Sequence, residues 1–407
     1  MAQYFSPGVY VEEYDNSPRS IEGVGTSTAG FIGLAEKGPA MGAPSLVTSF
    51  KSFTKQFGSF LSEFSYGEYR YLANSVEQFF VNGGTRCYVA RVVPEDAMAA
   101  KKEMGPFTAE AANEGKWGNR IQISFNTVEK RKLQLIAKSA TGYVAKSVEG
   151  FYEGDLVEVD GEYNRIETIY DNTVTFEKEF KNDVVDGNII PKTVLYLVTT
   201  DVSVRYNDDV ENYGELSFNI KAPNYIGSKL AVSEMIKAQV TPSEEIGNPV
   251  EAIFGAGNTS GIFNLEGGSD GTMSKVTPAT FIGIDNGPGK RTGIQAFTEN
   301  STVSMLAIPG VTNAEVVVSL VAHCENLKNR VAVLDMPKEL YKPKDLIEYR
   351  GIIDSTYAAM YHPWIQIYDR SSNKNDFIPP SGAVMGIYSR TDINRGVHKA
   401  PANEIVF

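Results

Sequence analysis

Residues 305–335 read MLAIPGVTNAEVVVSLVAHCENLKNRVAVLD. Met305-Leu306-Ala307-Ile308 is a short apolar run stopped by Pro309 and Gly310, the pattern of a buried strand. Asn313 stands at a helix-cap position, and the spacing predicts a helix from Ala314 to about Asn329. Arg330-Val331-Ala332-Val333-Leu334-Asp335 then returns as a strand. Strand, helix and strand within about thirty residues mark an α/β layer.

Outward from this unit, the C-terminal direction continues as α/β. Tyr361–Tyr368 and Ala383–Ile387 read as two further strands or strand-to-helix starts. Residues 261–407 are therefore expected to form the second part of an α/β core. The first part is expected in residues 21–105. There Thr28–Leu34 is a buried strand, Gly38-Pro39 breaks the chain, and Leu46-Val47 is a short strand. Phe50, Phe53 and Phe57 recur at helical spacing before Gly58. Tyr69, Leu72, Val76, Phe79 and Phe80 lie on one side of a predicted helix over 69–80, capped by Asn82-Gly83-Gly84. Cys87–Val93 returns as a strand.

Between these parts, residues 106–260 change character. Leu156–Val159 leads through Asp160-Gly161, a tight-turn pair, into Tyr163, Ile166 and Ile169. Tyr170–Phe176 reads as a turn and strand, and Val194–Val198 and Leu216–Ile220 continue the alternation. The expected fold class is thus α/β plus all-β: an α/β core built from both ends of the chain, with a β-rich domain inserted in the middle. Residues 1–20 are a separate extended arm. Pro7 and Gly8 open it, and Val9, Tyr10, Val11, Glu12 and Glu13 alternate with strand periodicity before Asp15–Pro18 end it. A lone terminal strand is not stable by itself, so Pro7–Glu13 are expected to pair with a sheet of this subunit or a neighbouring one.

Composition excludes several function classes. Of 407 residues, 42% are apolar and 22% charged, enough to bury globular cores. The net charge is −12 and no dense basic run appears, which argues against a nucleic-acid partner. No window approaches the roughly 18 apolar residues of a membrane span. The first residues lack a basic segment followed by an apolar one, so no signal peptide is expected, and synthesis in the cytoplasm fits two unpaired cysteines, Cys87 and Cys324. The three histidines, His323, His362 and His398, sit in no metal-ligand spacing. Gly287–Gly293 lacks the first glycine and the hydroxyl of a phosphate loop, because Ile284 and Arg291 stand there. Gly255–Gly261 misses the third glycine of a dinucleotide fingerprint and also the GxSxG spacing around Ser260. The acidic cluster Asp201, Asp208, Asp209 and Glu211 reads as a solvated face. No catalytic residue, metal ligand or cofactor is expected.

Several separated blocks resemble the contractile phage tail sheath family, which includes sheaths of phage-tail-like bacteriocins and related injection systems. They are Ser6–Glu13, Ile21–Gly33, Lys37-Gly38-Pro39, Phe79–Val89, Gly115–Asn119, Leu265–Gly271, Ile308-Pro309-Gly310, Val333–Pro337, Ile378–Val384 and Arg395–Asn403. Their shared order spans nearly the whole chain, with little match over 125–260. The resemblance implies a virion or tail-like particle component that stacks in hexameric rings as a helical sleeve around an inner tail tube protein. It further implies baseplate and tail terminator proteins as partners, no membrane insertion, and contraction without bound nucleotide. Relatives in this family usually continue past the Ala-Pro-Ala-Asn block, so the core is expected to be C-terminally incomplete at Phe407 and the chain mainly monomeric. The alternative is a surface binding or adhesion module that uses the β-rich middle, with Asp208 and Asp209 in its recognition loops.

Overall fold

The computed structural model describes residues 26–159, 161–178, 193–241, 248–369 and 373–407. Its first elements are β1 (Ala29–Gly33), β2 (Ser45–Val47), α1 (Phe50–Phe57), α2 (Glu63–Tyr66), α3 (Leu72–Val81) and β3 (Cys87–Arg91). The β-rich stretch holds β4 (Lys101–Met104), β5 (Phe107–Ala111), β6 (Gln122–Ser139), β7 (Gly142–Ala145), β8 (Leu156–Val159), β9 (Glu162–Tyr170), β10 (Thr173–Phe176), β11 (Thr193–Tyr206) and β12 (Asp209–Leu216). It continues with α4 (Ile226–Leu230), β13 (Ile236–Val240), α5 (Pro249–Phe254) and β14 (Ser260–Asn264). The last stretch is α6 (Pro278–Ile282), β15 (Met305–Ala307), α7 (Ala314–Leu327), β16 (Val331–Asp335), α8 (Pro343–Arg350), β17 (Ala358–Tyr361), β18 (Ile365–Asp369), β19 (Lys374–Ile378) and α9 (Ser381–Arg395).

One six-stranded sheet has the order β17-β16-β15-β1-β3-β2, parallel except for β2 at its edge. It takes three strands from the first hundred residues and three from beyond residue 300. Both faces are covered, as a parallel sheet requires. Phe31, Val89, Met305 and Val333 point to a layer made by α1, α3 and α9, where Phe53, Phe57, Val76, Phe79 and Met385 are buried. Their chain neighbours Ile32, Ala90, Leu306 and Leu334 point the other way, to Phe281 of α6 and to Val317, Leu320 and Val321 of α7. The strand period of two thus sorts the residues into two cores.

The β-rich stretch forms two further cores around two long strands. The upper halves of β6 and β11 close a six-stranded barrel with β7, β8, β9 and β10. Leu133, Leu135, Val157, Ile166, Val174 and Leu195 fill it. Below, the same two strands pair with β12 and β14. That half packs on the sheet β13-β5-β4 through Phe107, Trp117, Ile123, Phe125, Val202 and Val204. Between Leu197 and Thr199 β11 advances two residues while β6 advances three, from Arg131 to Val128. This bulge marks where the strands leave the barrel, and such bulges bend and twist a ladder. The hairpin β4–β5 crosses the division at residue 105, and β14 crosses that at residue 260.

The local expectations meet the structure unevenly. α1 begins with the Ser49 hydroxyl capping Ser52 N and ends at Gly58, as its phenylalanines predict. α7 is capped by Asn313 Oδ1 on Glu315 N at 2.9 Å and stops at Lys328 in the left-handed region. The helix expected from Tyr69 starts at Leu72, because Gly67–Tyr69 forms a separate turn of 3-10 helix. The strand expected over Leu216–Ile220 ends at Leu216, where the Ser217 hydroxyl and Asn219 turn the chain. Ala383–Ile387 lies inside α9, since Gly382 and Gly386 let that apolar run pack as a helix against α3.

Candidate functional site

The predicted inter-subunit strand, Pro7, Gly8, Val9, Tyr10, Val11, Glu12 and Glu13, lies outside the described residues. Six of the glycine- and proline-rich blocks, 37–39, 115–119, 265–271, 308–310, 333–337 and 378–384, converge on two buried polar nodes.

The first node is Asp335, at the end of β16 and 3% exposed. Its carboxylate accepts from Gly310 N at 3.0 Å, Ser381 N at 2.8 Å and the Ser381 hydroxyl at 2.8 Å. Burial pushes Asp335 up to about 6, although all three bonds pull it down. Three sequence blocks, 308–310, 333–337 and 378–384, are thereby joined at one side chain. Gly310 has φ +74, and a Cβ there would stand 2.6 Å from the Tyr71 ring. Trp364 closes the node, giving its indole N–H to Met336 O at 2.8 Å and its edge to Tyr71. Beside it α9 crosses α3 closely. A Cβ on Gly382 would lie 2.2 Å from the Ser75 carbonyl oxygen. The final residues return to α3, where Asn82 exchanges bonds with Phe407 N at 2.9 Å and Phe407 O at 3.3 Å.

The second node is Arg91, 2% exposed at the end of β3. Its guanidinium donates to Ala35 O at 3.0 Å, Gly38 O at 2.9 Å and Glu114 O at 2.9 Å. Burial lowers its affinity for a proton, with the Glu114 carboxylate 3.9 Å away opposing. Around it blocks 37–39, 115–119 and 265–271 interlock. Asp270 accepts from Lys116 N at 2.8 Å, and Asn119 exchanges bonds with the Gly268 backbone at 2.8 Å each. The node joins the loops of the parallel sheet to the base of the β-rich part.

The serine hydroxyl that meets a carboxylate in the nodes, Ser381 on Asp335, is buried together with it. Cys87 and Cys324 are buried free thiols, both pushed up by burial. His323 is pulled down to about 4 by burial and by Arg330, whose guanidinium lies 3.4 Å away. Asp208 and Asp209 are exposed at the β11–β12 turn, while Asp201 is used locally, capping Glu215 N at 2.8 Å. Ser260 begins β14, and Lys290 lies in an exposed turn. Among the described residues no group of His, Cys, Asp or Glu is placed to hold a metal ion, and no helix is long and apolar enough to cross a membrane. The sequence reading did not single out Arg91 or the role of Asp335. Their signal was the clustering of glycine and proline blocks, which implies close approaches without saying which blocks meet.

Comparison with known proteins gives a match in sequence. Over 128 residues, 30% of this chain and 33% of the relative, it is 25% identical to a protein of Pseudomonas aeruginosa (strain UCBPP-PA14) described as a prophage major tail sheath protein. Over that stretch this chain is similar to a tail sheath protein. No protein-family model matches it. Among solved structures, the sheath tail protein of Desulfitobacterium hafniense is 13% identical with a TM-score of 0.42, covering 94% of this chain and 62% of that one. The sheath tail protein of Listeria innocua is 12% identical with a TM-score of 0.45, covering 89% and 55%. The helical sheath of the anti-feeding prophage in its contracted state is 12% identical with a TM-score of 0.36, covering 99% and 57%. The chain therefore spans a little over half the length of these sheath structures, and the sequence match covers a third of the bacterial relative.

Proposed function

We propose that this chain is a structural and mechanical sheath subunit that polymerises as a helical sleeve around an inner tube and shortens to drive that tube through a target envelope. The sequence kinship with a tail sheath protein carries the reading. In this reading the subunits form hexameric rings, the neighbours at the sleeve ends are baseplate and tail terminator proteins, and the whole belongs to a virion tail or tail-like particle. Work is stored in the packing of the assembled lattice rather than supplied by catalysis, so the subunit is no enzyme. The two nodes suit this role. Each ties three distant segments through one buried polar side chain, which favours a subunit that moves as a rigid body while its neighbours rearrange.

The arm Pro7–Glu13 is assigned to a strand shared with a neighbour. Main-chain pairing tolerates hinge movement, which a lattice that changes pitch demands. The β-rich middle is assigned to an outward-facing insertion, in keeping with its separate barrel and base cores.

Immunogold labelling tests the proposal. Antibody raised against this chain should decorate the sleeves of tail-like particles released by the bacterium that carries its gene, along their whole length. Gold confined to the cell surface or to particle tips would instead point to a binding or adhesion module.

A further inference from the structure

At the second node, between the loops of the parallel sheet and the β-rich part, opens a cleft of about 730 Å3 with an adjoining lobe of about 560 Å3. Lys37, Lys55, Trp117, Tyr206 and Asp209 line both lobes. These volumes are in the range of small-ligand sites.

Its charges are unevenly used. Glu36 pairs with Arg120 and also accepts from Ser59 N at 3.2 Å and the Tyr206 hydroxyl at 3.2 Å. Asp270 accepts from Lys116 N at 2.8 Å and lies 3.8 Å from the Lys116 amine. Among the described residues, neither Lys37 nor Lys55 has a carboxylate within ion-pair distance. The Lys37 amine is instead 4.6 Å from the centre of the Tyr206 ring and 5.8 Å from that of Trp117. Burial pulls its ammonium below the ordinary value, and Asp209 and Glu36 act back on it only from longer range. A cation held against two ring faces and left without a contacting anion is poised to receive one. Both rings are buried beneath that amine, 3% and 5% exposed, so they hold the lysine in place, and the partly exposed Phe60 is the apolar surface of the first lobe.

We propose that this cleft binds a carboxylate-bearing ligand, with Lys37 and Lys55 as its charged anchors and the buried rings of Trp117 and Tyr206 as the support that fixes Lys37. The carboxylate comes either from a free small diacid or from an acidic side chain of another protein chain. Asp209, with Glu211 and Glu234 in the second lobe, opposes it and tunes the affinity downward.

The chain has two tryptophans, so Trp364→Phe leaves Trp117 as the only indole reporter. Glutarate and a hexaglutamate peptide are titrated against its fluorescence, with sodium chloride at matched ionic strength as the blank. Calorimetry on the wild-type chain repeats the titration without the Trp364 change. A saturable signal is expected, weakened about tenfold or more by Lys37→Gln and less by Lys55→Gln. Asp209→Asn should tighten it. Tighter binding of the peptide assigns the carboxylate to a protein chain, and equal or tighter binding of glutarate assigns it to a small diacid. No saturable response to either probe, or affinities unmoved by Lys37→Gln and Asp209→Asn, would overturn the proposal.

Discussion

Replacing Asp335 by asparagine exchanges one oxygen for nitrogen where the three contacting groups, Gly310 N, Ser381 N and the Ser381 hydroxyl, all donate. The change therefore lowers stability at every pH, but its informative part is pH-dependent. In the fold Asp335 holds its proton up to about 6, against 3.8 for the unperturbed side chain. Between those values the folded chain binds more protons than the unfolded one, so this group makes stability fall as pH rises through the window. Below the window the neutral carboxyl leaves no charge in the buried site. Above it both states are ionised and the loss is constant. At about 1.4 kcal/mol per pKa unit, the loss across the window comes to about 3 kcal/mol. The asparagine side chain of the variant does not titrate. The stability advantage of wild type over Asp335→Asn should therefore shrink by about 3 kcal/mol between roughly pH 3 and pH 7. Urea unfolding of both proteins at a series of pH values reads this difference directly, and other carboxylates cancel between the two. Parallel stability curves would refute the reasoning, because they would mean that the three donors fully offset the cost of burying the charge.

Four further outcomes are expected. Gly382→Ala places a methyl group against the Ser75 backbone, which cannot swing aside; it should cost about 3 kcal/mol, at the upper end of overpacking, in thermal or urea unfolding. Arg91→Met leaves the carbonyls of Ala35, Gly38 and Glu114 without their donor and should cost about 3 kcal/mol or more, whereas Arg120→Met removes a half-exposed pair and should cost under about 1 kcal/mol. A thiol reagent should modify neither Cys87 nor Cys324 in the native chain and both after denaturation, since burial hides them and disfavours the thiolate. Replacing residues 130–197 by a two-residue turn that joins the lower halves of β6 and β11 should leave a cooperatively folding protein, judged by circular dichroism and a single melting transition.

What the sequence disclosed is what local physics decides. The cap at Asn313, the stop at Gly58 and the two-residue hairpin turn after Tyr170 are set by neighbours in the chain, and they were legible. β1 and β16 were also visible as short apolar strands, but not that their two faces feed two different helical layers. Pairing of β1 with β15 joins residues far apart in the chain, and nothing near either strand specifies it. Closure of the barrel was hidden for the same reason, because it depends on β11 returning to both β6 and β8. The nodes were half legible. Their glycines announced close approaches, but Asp335 and Arg91 looked like ordinary strand-end charges until the loops that enclose them were placed. The arm Pro7–Glu13 rests on sequence alone.

The two long strands carry a further consequence. β6 has 18 residues, roughly 60 Å at about 3.3 Å per residue, and it crosses from base to barrel without a turn. A pull along the axis of such a ribbon loads its cross-strand bonds together, in shear, instead of peeling them one by one. The barrel is thus fixed to the base as a stiff spar would be. The bulge opposite Val198 is the point at which that spar would flex, so a sideways push on the barrel would be converted there into a twist of β12, β14 and the layer beneath them.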